Sequence, residues 1–208
     1  GTYIKPKNSF KANQVKLAKL QRQLSRKVLF SQNWKKQNCK IQKLYSHIAN
    51  IRHDYLHKIT TSISKNHAMI ACEDLTVVNM STSASGSVEN KGRHVKAKSG
   101  LNKSILDQGW GMMVNMLEYK QQWQGGLLIK VNPRYTSQTC FECKHIAKDN
   151  RQTQSKFECV KCGYKANADI NAAKNILSAG HAVLSAEGGC SQGRPLKQKT
   201  CDGRENVA

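Results

Sequence analysis

Apolar residues in the first third of the chain recur every three or four positions. This period, which is that of one helix face, extends over residues 9–29 and again over residues 33–64. The second predicted helix is roughly 45 Å long at 1.5 Å per residue. Because only a short polar link joins the two segments, we expect an antiparallel helical hairpin.

Beyond residue 65 the pattern changes from periodic to continuous. Two apolar runs, at residues 68–72 and 127–131, are typical of strands buried in the centre of a sheet. Residues 79–100 are rich in Ser, Gly, Asn and Lys and lack periodicity. They predict a mobile loop whose length suggests a functional role.

Two more helices and a polar tail complete the predicted elements. One helix is expected over about residues 102–124, where a Gly-Gly pair ends it. The last helix is expected over residues 172–184, with a stop or bend near Gly180. Residues 186–208 are dominated by Gly, Ser, Gln and Lys and predict a disordered tail.

The chain is strongly basic. Its 208 residues include 34 Lys and Arg against 13 Asp and Glu, a formal net charge of +21. Such an excess points to a polyanionic partner, and nucleic acid is the main candidate. Solubility is the alternative explanation, but both charge signs would provide it, whereas the hairpin carries almost only cations. The cations expected to bind phosphates along the first helix are Lys16, Lys19, Arg22, Arg26 and Lys27.

The sequence also argues against a membrane protein. Its longest purely apolar run has five residues, far below the about 20 that a membrane-spanning helix needs. The first residues contain no apolar segment of the kind found in a secretory leader. We therefore expect no membrane partner. Because the chain does not begin with Met, we also expect it to be part of a longer protein.

Four of the eight cysteines form two closely spaced pairs, 15 residues apart. The Cys-x-x-Cys spacing lets two thiolates from one turn bind the same ion, and two such turns are typical of a zinc ribbon. A redox-active pair is the alternative, although two matched pairs favour metal. Four thiolates complete the tetrahedral coordination of zinc, so the ion would be structural. The predicted ligands are Cys140, Cys143, Cys159 and Cys162.

Two carboxylates occupy positions where a sheet would present them to a metal. Glu73 ends the most apolar run of the chain, and Asp169 stands at the start of a predicted helix. Converging carboxylates bind hard cations such as Mg²⁺, which assist phosphodiester hydrolysis. Each residue also has a simpler explanation: Glu73 as a solvated strand-end carboxylate, and Asp169 as a charge favoured at a helix amino terminus. Asp74 is expected on the opposite face of the strand.

These motifs, in this order, resemble one family. The carrying segments are residues 71–75 (Ala-Cys-Glu-Asp-Leu), residues 132–140, the two cysteine pairs and residues 168–176. They resemble the carboxyl-terminal half of TnpB, the OrfB "transposase" of small bacterial insertion sequences, a relative of the type V CRISPR effectors. The resemblance covers nearly the whole chain, and the combination of motifs is far more specific than either cysteine pair alone.

The resemblance implies an α/β fold with an RNase H-like (RuvC) core that lacks its first strands, a long basic helical hairpin and an inserted zinc ribbon. In the family's pattern, Glu73 and Asp169 match the second and third RuvC acids. The resemblance implies four divisions of the chain. Residues 1–132 form a RuvC-like part, which contains the helical hairpin (about 9–64) and a lid loop (about 79–100). A zinc ribbon (133–166), the final RuvC helix (167–185) and a disordered tail (186–208) follow.

The implied activity is RNA-guided, metal-dependent cleavage of DNA. It would require one structural Zn²⁺ ion and catalytic Mg²⁺, with a guide RNA and target DNA as partners and no small-molecule substrate. The resemblance further implies a cytoplasmic protein of a bacterium or archaeon.

Two departures from the family pattern alter these expectations. Family members carry a first RuvC Asp on a strand ahead of the hairpin, whereas the only acid before Glu73 here is Asp54, in a helical pattern. We therefore expect that strand and its Asp to be missing, and the chain alone to be inactive. Lys144 replaces a Gly that often follows the second cysteine, and should alter only the local turn.

Two other functions remain open. A non-catalytic zinc-ribbon protein that binds nucleic acid would share the same ancestry and differ only in lacking a complete set of metal ligands. A ribosomal or transcription-factor zinc ribbon would account for the cysteines and the charge. It would leave the positions of Glu73 and Asp169 unexplained.

Overall fold

The computed structural model describes residues 4–87 and 89–188. In these ranges the chain forms an α/β structure of six α-helices and four strands. In chain order they are α1 (Ser9–Ser25), α2 (Gln32–Asn66), β1 (Met69–Glu73), α3 (Val77–Met80), α4 (Val95–Gln108), α5 (Trp110–Trp123), β2 (Leu127–Val131), β3 (Lys156–Glu158), β4 (Lys165–Asn167) and α6 (Ala168–Gly188). The predicted tail falls almost wholly outside the described residues.

The predicted helical hairpin is present as α1 and α2. Its core consists of apolar side chains from the predicted stripes, namely Leu17, Ile41, Leu44 and Ile48, with Phe10, Leu20 and Leu24 packed against them. The helix α1 ends at Ser25, four residues before the predicted end at 29. The apolar residues that follow form a turn, in which the amide of Ser31 donates to the carbonyl of Val28 at 3.1 Å.

The amino terminus of α1 is capped by a carboxylate from a distant part of the chain. Asp107, on α4, accepts hydrogen bonds from the backbone amides of Phe10 and Lys11 at 3.0–3.3 Å and from the Ser9 hydroxyl at 3.2 Å. It also pairs with Arg52 of α2 at 2.9 Å, with 4 % of its own side chain exposed. Burial raises the pKa of Asp107, but these donors outweigh it and leave the pKa below 3.8.

We predict that Asp107→Ala lowers the free energy of unfolding by about 3 kcal/mol, because it leaves Arg52 and the end of α1 without their acceptor. Since the folded pKa is depressed, the contribution of Asp107 is complete above the unfolded pKa and disappears as the pH falls through the folded pKa. Urea unfolding of wild type and variant should therefore differ at pH 7, and the difference should shrink as the pH falls through and below the ordinary range of Asp. The exposed Asp54, paired only with Lys58, is the control, and its Ala variant should change stability by under about 0.5 kcal/mol.

Both predicted strands are present and pair in parallel, from Met69 opposite Leu127 to Glu73 opposite Val131. Helix α6 packs on this pair, and Gly180 allows the close approach, because a Cβ there would lie 2.7 Å from the Cβ of Ala71. The helix continues through Gly180 without the predicted stop.

The expectation of a fully buried, central strand is wrong for the described part of the chain. All five residues of β1 are only half-buried, and in β2 only Val131 is buried. The physical reason is that the described sheet has two strands, so β1 is paired along one edge only.

The expected mobile loop at 79–100 is shorter than predicted. Its last six residues belong to α4, which begins before the predicted cap at 102. The remaining loop is held at one end, because Asn102 donates to the carbonyls of Ser81 and Thr82 at 2.8 and 2.9 Å. The single helix expected over 102–124 is likewise divided at Gly109, whose φ of 70° ends α4 and begins α5.

A buried lysine fixes α5 against the hairpin. The Lys120 ammonium donates to the carbonyl of His57 and to the hydroxyls of Thr60 and Thr61 at 2.7–2.8 Å. Burial lowers the pKa of Lys120, and these three oxygens compensate part of its lost hydration.

None of the helices in residues 4–87 and 89–188 combines the length and the hydropathy that a membrane-spanning helix requires.

Candidate metal centre and carboxylate sites

The four predicted cysteine ligands converge. Their sulfur atoms all lie within 4.8 Å of one another, with Cys140 to Cys162 at 3.7 Å and Cys143 to Cys159 at 3.5 Å. A tetrahedral zinc ion with Zn–S bonds of about 2.3 Å requires sulfurs about 3.8 Å apart. The geometry and the thiol chemistry of the cluster are therefore compatible with a zinc site.

Both Cys-x-x-Cys segments form the same turn. The amide of Lys144 donates to the carbonyl of Cys140 at 3.0 Å, and the amide of Gly163 donates to that of Cys159 at 2.9 Å. Both donors have positive φ, 59° for Lys144 and 73° for Gly163. Lys144 thus adopts the conformation for which Gly is favoured, and the turn is retained. The ammonium of Lys144 lies 4.3 Å from the centre of the Phe141 ring.

The four cysteines differ in how readily they form thiolates. Burial raises the pKa of Cys140. The amide of Tyr164 lowers the pKa of Cys162, but burial and the neighbouring thiols outweigh it and raise that pKa to about 12. Burial raises the pKa of Cys159, but hydrogen bonds from the amides of Cys162 and Lys161, together with the neighbouring thiols, lower it to about 6. Since the thiolate is the form that binds metal, one ligand of the cluster is partly prepared for binding at neutral pH.

Buried asparagines hold the metal centre together and join it to α6. Asn150 donates to the carbonyls of Gln138 and His145 at 2.9 and 3.1 Å and accepts from the amide of Val160 at 3.0 Å, linking the two cysteine turns. Asn171, on α6, accepts from the amide of Phe141 at 3.1 Å and donates to the carbonyl of Thr139 at 2.8 Å.

These asparagines are not among the predicted site residues. Asn171 and Asn175 are spaced by four residues and lie on one face of α6, and both donate to the carbonyl of Thr139. Asn167 lies four residues before Asn171. Its side chain accepts hydrogen bonds from the amides of Asp169 and Ile170 and so caps the helix. The signal available in the sequence was therefore an Asn at every fourth position.

Glu73 lies at the end of β1, half-buried, beside this asparagine network. Its carboxylate accepts a hydrogen bond of 2.6 Å from the hydroxyl of Thr136. The carbonyl of Thr136 accepts in turn from Asn175 of α6 at 3.1 Å. Glu73 and Asp74 also line a cavity of about 190 Å³, together with Leu75, Val77, Trp110, Gly111, Val114, Asn115 and Lys130.

Asp169 lies in the first turn of α6, as predicted, with 82 % of its side chain exposed. It pairs with Arg151, which lies between the two cysteine turns, at 3.5 Å. Asn175, which reaches the surroundings of Glu73, is six residues farther along α6, about 9 Å at 1.5 Å per residue.

The two predicted catalytic acids therefore have separate partners. Among residues 4–87 and 89–188, the four cysteines are the only group of three or more potential metal ligands that lie within reach of one ion.

The five predicted phosphate-binding cations lie on one exposed segment at the end of α1. Lys16, Lys19 and Arg22 lie on the helix, Arg26 is its carboxyl-terminal cap, and Lys27 follows in the turn. In the described part of the chain, none of the five has a carboxylate within 4.0 Å. Their charge is therefore available to an external polyanion.

Comparison with known protein families yields two matches. Residues 1–84 match a family described as "Probable transposase", and residues 110–176 match one described as "Cas12f1-like, TNB domain". The second match contains all four cysteines, while the first contains the helical hairpin and Glu73.

Individual relatives agree with these families. The chain is 64 % identical over 199 residues to the Escherichia coli (strain K12) protein named "Putative RNA-guided DNA endonuclease InsQ", covering 96 % of this chain and 50 % of the relative. It is 35 % identical over 141 residues to the "CRISPR-associated endodeoxyribonuclease Cas12f1" of Sulfoacidibacillus thermotolerans, covering 65 % of this chain and 29 % of the relative.

A solved structure shares the fold. The structure titled "Cryo-EM structure of the Cas12f1-sgRNA-target DNA complex" aligns with a TM-score of 0.53 and 24 % identity, covering 83 % of this chain and 42 % of the other. The chain thus spans about half the length, or less, of the relatives it matches.

Proposed function

Because this chain belongs to the TnpB (OrfB) transposase family, we propose that it forms the nuclease part of an RNA-guided DNA endonuclease. Its partners are a guide RNA and target DNA, and it acts in the cytoplasm of a bacterium or archaeon. The observation that carries the proposal is the position of Glu73. This strand-end carboxylate accepts a hydrogen bond from Thr136, which Asn175 ties to α6, the helix that carries Asp169 in its first turn.

We propose an RNase H-like, RuvC-type core for residues 1–132 and 167–185. Support comes from the parallel β1–β2 pair with α6 packed on it and α5 packed against β2. A further strand carrying the first acid would pair with the free edge of β1, because an edge strand presents backbone amides and carbonyls without partners. In this arrangement residues 133–166 form a zinc ribbon between β2 and α6, and residues 79–100 a lid.

The two proposed metals differ in how well this chain accommodates them. Cys140, Cys143, Cys159 and Cys162 would hold one Zn²⁺ ion and complete its coordination, so its role is structural. Glu73 and Asp169 offer the oxygen ligands that Mg²⁺ prefers. They have separate partners, and in the described residues no three carboxylates lie within reach of one ion. In residues 4–87 and 89–188 the acids thus offer an incomplete ligand set for Mg²⁺, which a further acid would complete.

The cations of α1 would bind phosphates of the RNA or of the guide–target duplex without reading bases. We predict that replacing Lys16, Lys19, Arg22, Arg26 and Lys27 with Gln weakens nucleic-acid binding most strongly at low salt. Five fewer phosphate contacts should reduce the slope of log K against log salt by about 3.5 for a single strand and 4.5 for a duplex.

Fluorescence anisotropy with a labelled RNA and a labelled duplex, between about 50 and 200 mM salt, measures this slope. The matched control replaces the same number of exposed cations elsewhere, namely Lys40, Lys43, Lys58, Lys65 and Lys103. An unchanged slope in the α1 variant, or an equal change in the control, would show that the α1 cations are only a solvated surface.

A non-catalytic nucleic-acid-binding module is the second candidate function. The observation that favours it is the separation of the acids, with Asp169 paired to Arg151 and largely exposed. Both candidates bind nucleic acid, so binding does not distinguish them. Cleavage by a reconstituted protein does.

A further inference from the structure

The turn between α1 and α2 exposes three consecutive apolar residues at one end of the hairpin. Val28, Leu29 and Phe30 are 78 %, 62 % and 68 % exposed. Exposed apolar residues are ordinary when they are scattered singly, whereas a contiguous group marks an interaction site. We call these three residues, together with Trp34, whose ring contacts that of Phe30, the hairpin tip.

The backbone of the hairpin tip is unfavourable for the residue it carries. The hydrogen bond from the Ser31 amide to the Val28 carbonyl closes a four-residue turn, with Phe30 as its third residue at a φ of 62°. A positive φ at this position normally requires Gly or Asn, and a bulky residue there is an outlier. Folding alone would favour Gly, so the Phe30 ring is not explained by the turn.

The side chains of the hairpin tip form an aromatic platform surrounded by cations. The rings of Phe30 and Trp34 contact each other edge to face, with centroids 5.4 Å apart. The flanking cations are Arg26, Lys27, Lys35 and Lys36, all exposed, and none has a carboxylate within 4.0 Å in the described part of the chain. Aromatic rings beside uncompensated cations are the means by which proteins bind unpaired bases and their phosphates.

We propose that the hairpin tip binds unpaired nucleotides, stacking Phe30 and Trp34 on bases while the flanking cations contact phosphates. The inference rests on the proposed function and extends it, because Arg26 and Lys27 belong both to the hairpin tip and to the cationic segment of α1. Base stacking at the tip is a second interaction, independent of net charge. Single-stranded RNA and single-stranded DNA share the required chemistry.

The test compares residues 1–208 with the variant Phe30→Gly. Gly accepts the positive φ, so the melting temperature should not fall. Affinity for a labelled oligouridine or oligothymidine should fall roughly 5- to 150-fold, the effect of losing one stacked base. Affinity for an abasic oligonucleotide of the same length should change less than about twofold, because its phosphates remain. A larger loss on RNA than on DNA would identify RNA as the natural strand.

Two companion variants keep the test decisive. Phe30→Trp should retain affinity for the base-containing strands. The α1 variant with five Gln substitutions should lose affinity for abasic and base-containing strands alike, so its failure concerns the proposed function and not the stacking.

Three results would overturn the proposal. They are unchanged oligouridine and oligothymidine binding in Phe30→Gly, equal losses on the abasic strand, or a Phe30-dependent effect seen only with anionic lipid vesicles or in self-association measured by ultracentrifugation.

Discussion

Replacing Cys159 with Ser should remove zinc from the purified chain and unfold the segment from about residue 138 to 167. In the proposed site four cysteine side chains would hold the ion, and structural zinc contributes about 10–16 kcal/mol of apparent binding free energy, which is also folding free energy. The short β3–β4 pair and the small core around Phe157 offer little else. The helical hairpin has its own core and should remain folded.

Elemental analysis and limited proteolysis measure the two parts of this result. Wild-type protein should contain one equivalent of zinc, and the variant should contain far less and be cleaved within the cysteine segment. Cys39→Ser is the matched control, because Cys39 is exposed on α2 and outside the cluster. Wild-type protein that is folded and free of metal would refute the zinc site.

The second large effect concerns cleavage. Residues 1–208 alone should bind DNA but cut it poorly, because the described acids do not converge into one metal site. We expect metal-dependent cutting to be restored in a fusion of this chain with the part of the Escherichia coli relative that lies outside the matching region. In that fusion, Glu73→Gln and Asp169→Asn should each reduce the rate more than about 100-fold, since loss of an outer-shell partner alone costs 10- to 100-fold.

The neighbours of Glu73 provide graded controls. Thr136→Val removes the hydroxyl that donates to Glu73 and should reduce the rate about 10- to 100-fold. Asp74→Asn should have a much smaller effect, and every variant should bind DNA as the unsubstituted fusion does. Gel assays of cleavage and binding, with Mg²⁺ and with EDTA, measure both quantities.

Two outcomes would contradict this assignment of the acids. Efficient cutting by residues 1–208 alone would mean that another acid, Asp54 or Asp74, acts as the ligand. Loss of binding in Asp169→Asn would indicate that Asp169 serves the end of α6 and not a metal. A fusion that binds but never cuts would favour the non-catalytic module.

The hairpin helices and the two strands of the sheet could be predicted because each depends on neighbouring residues. The helical period predicted α1 and α2 to within a few residues of their observed ends, and the two apolar runs predicted β1 and β2. The metal centre was predictable for the same reason, since each Cys-x-x-Cys turn places two thiols together within four residues. Local spacing does not tell how deeply a strand is buried, and β1 is more exposed than its composition indicated.

Only the tertiary structure decided which residues that are distant in the sequence contact each other. The carboxylate of Asp107 caps a helix that begins 98 residues earlier, and no pattern near either residue indicates this. Thr136 reaches Glu73 across 63 residues, and Asn150 joins two turns that the sequence treats as separate. Hydrogen bonds of this kind depend on the direction in which packed elements present their side chains. Periodicity determined which elements form, and packing determined which polar groups meet.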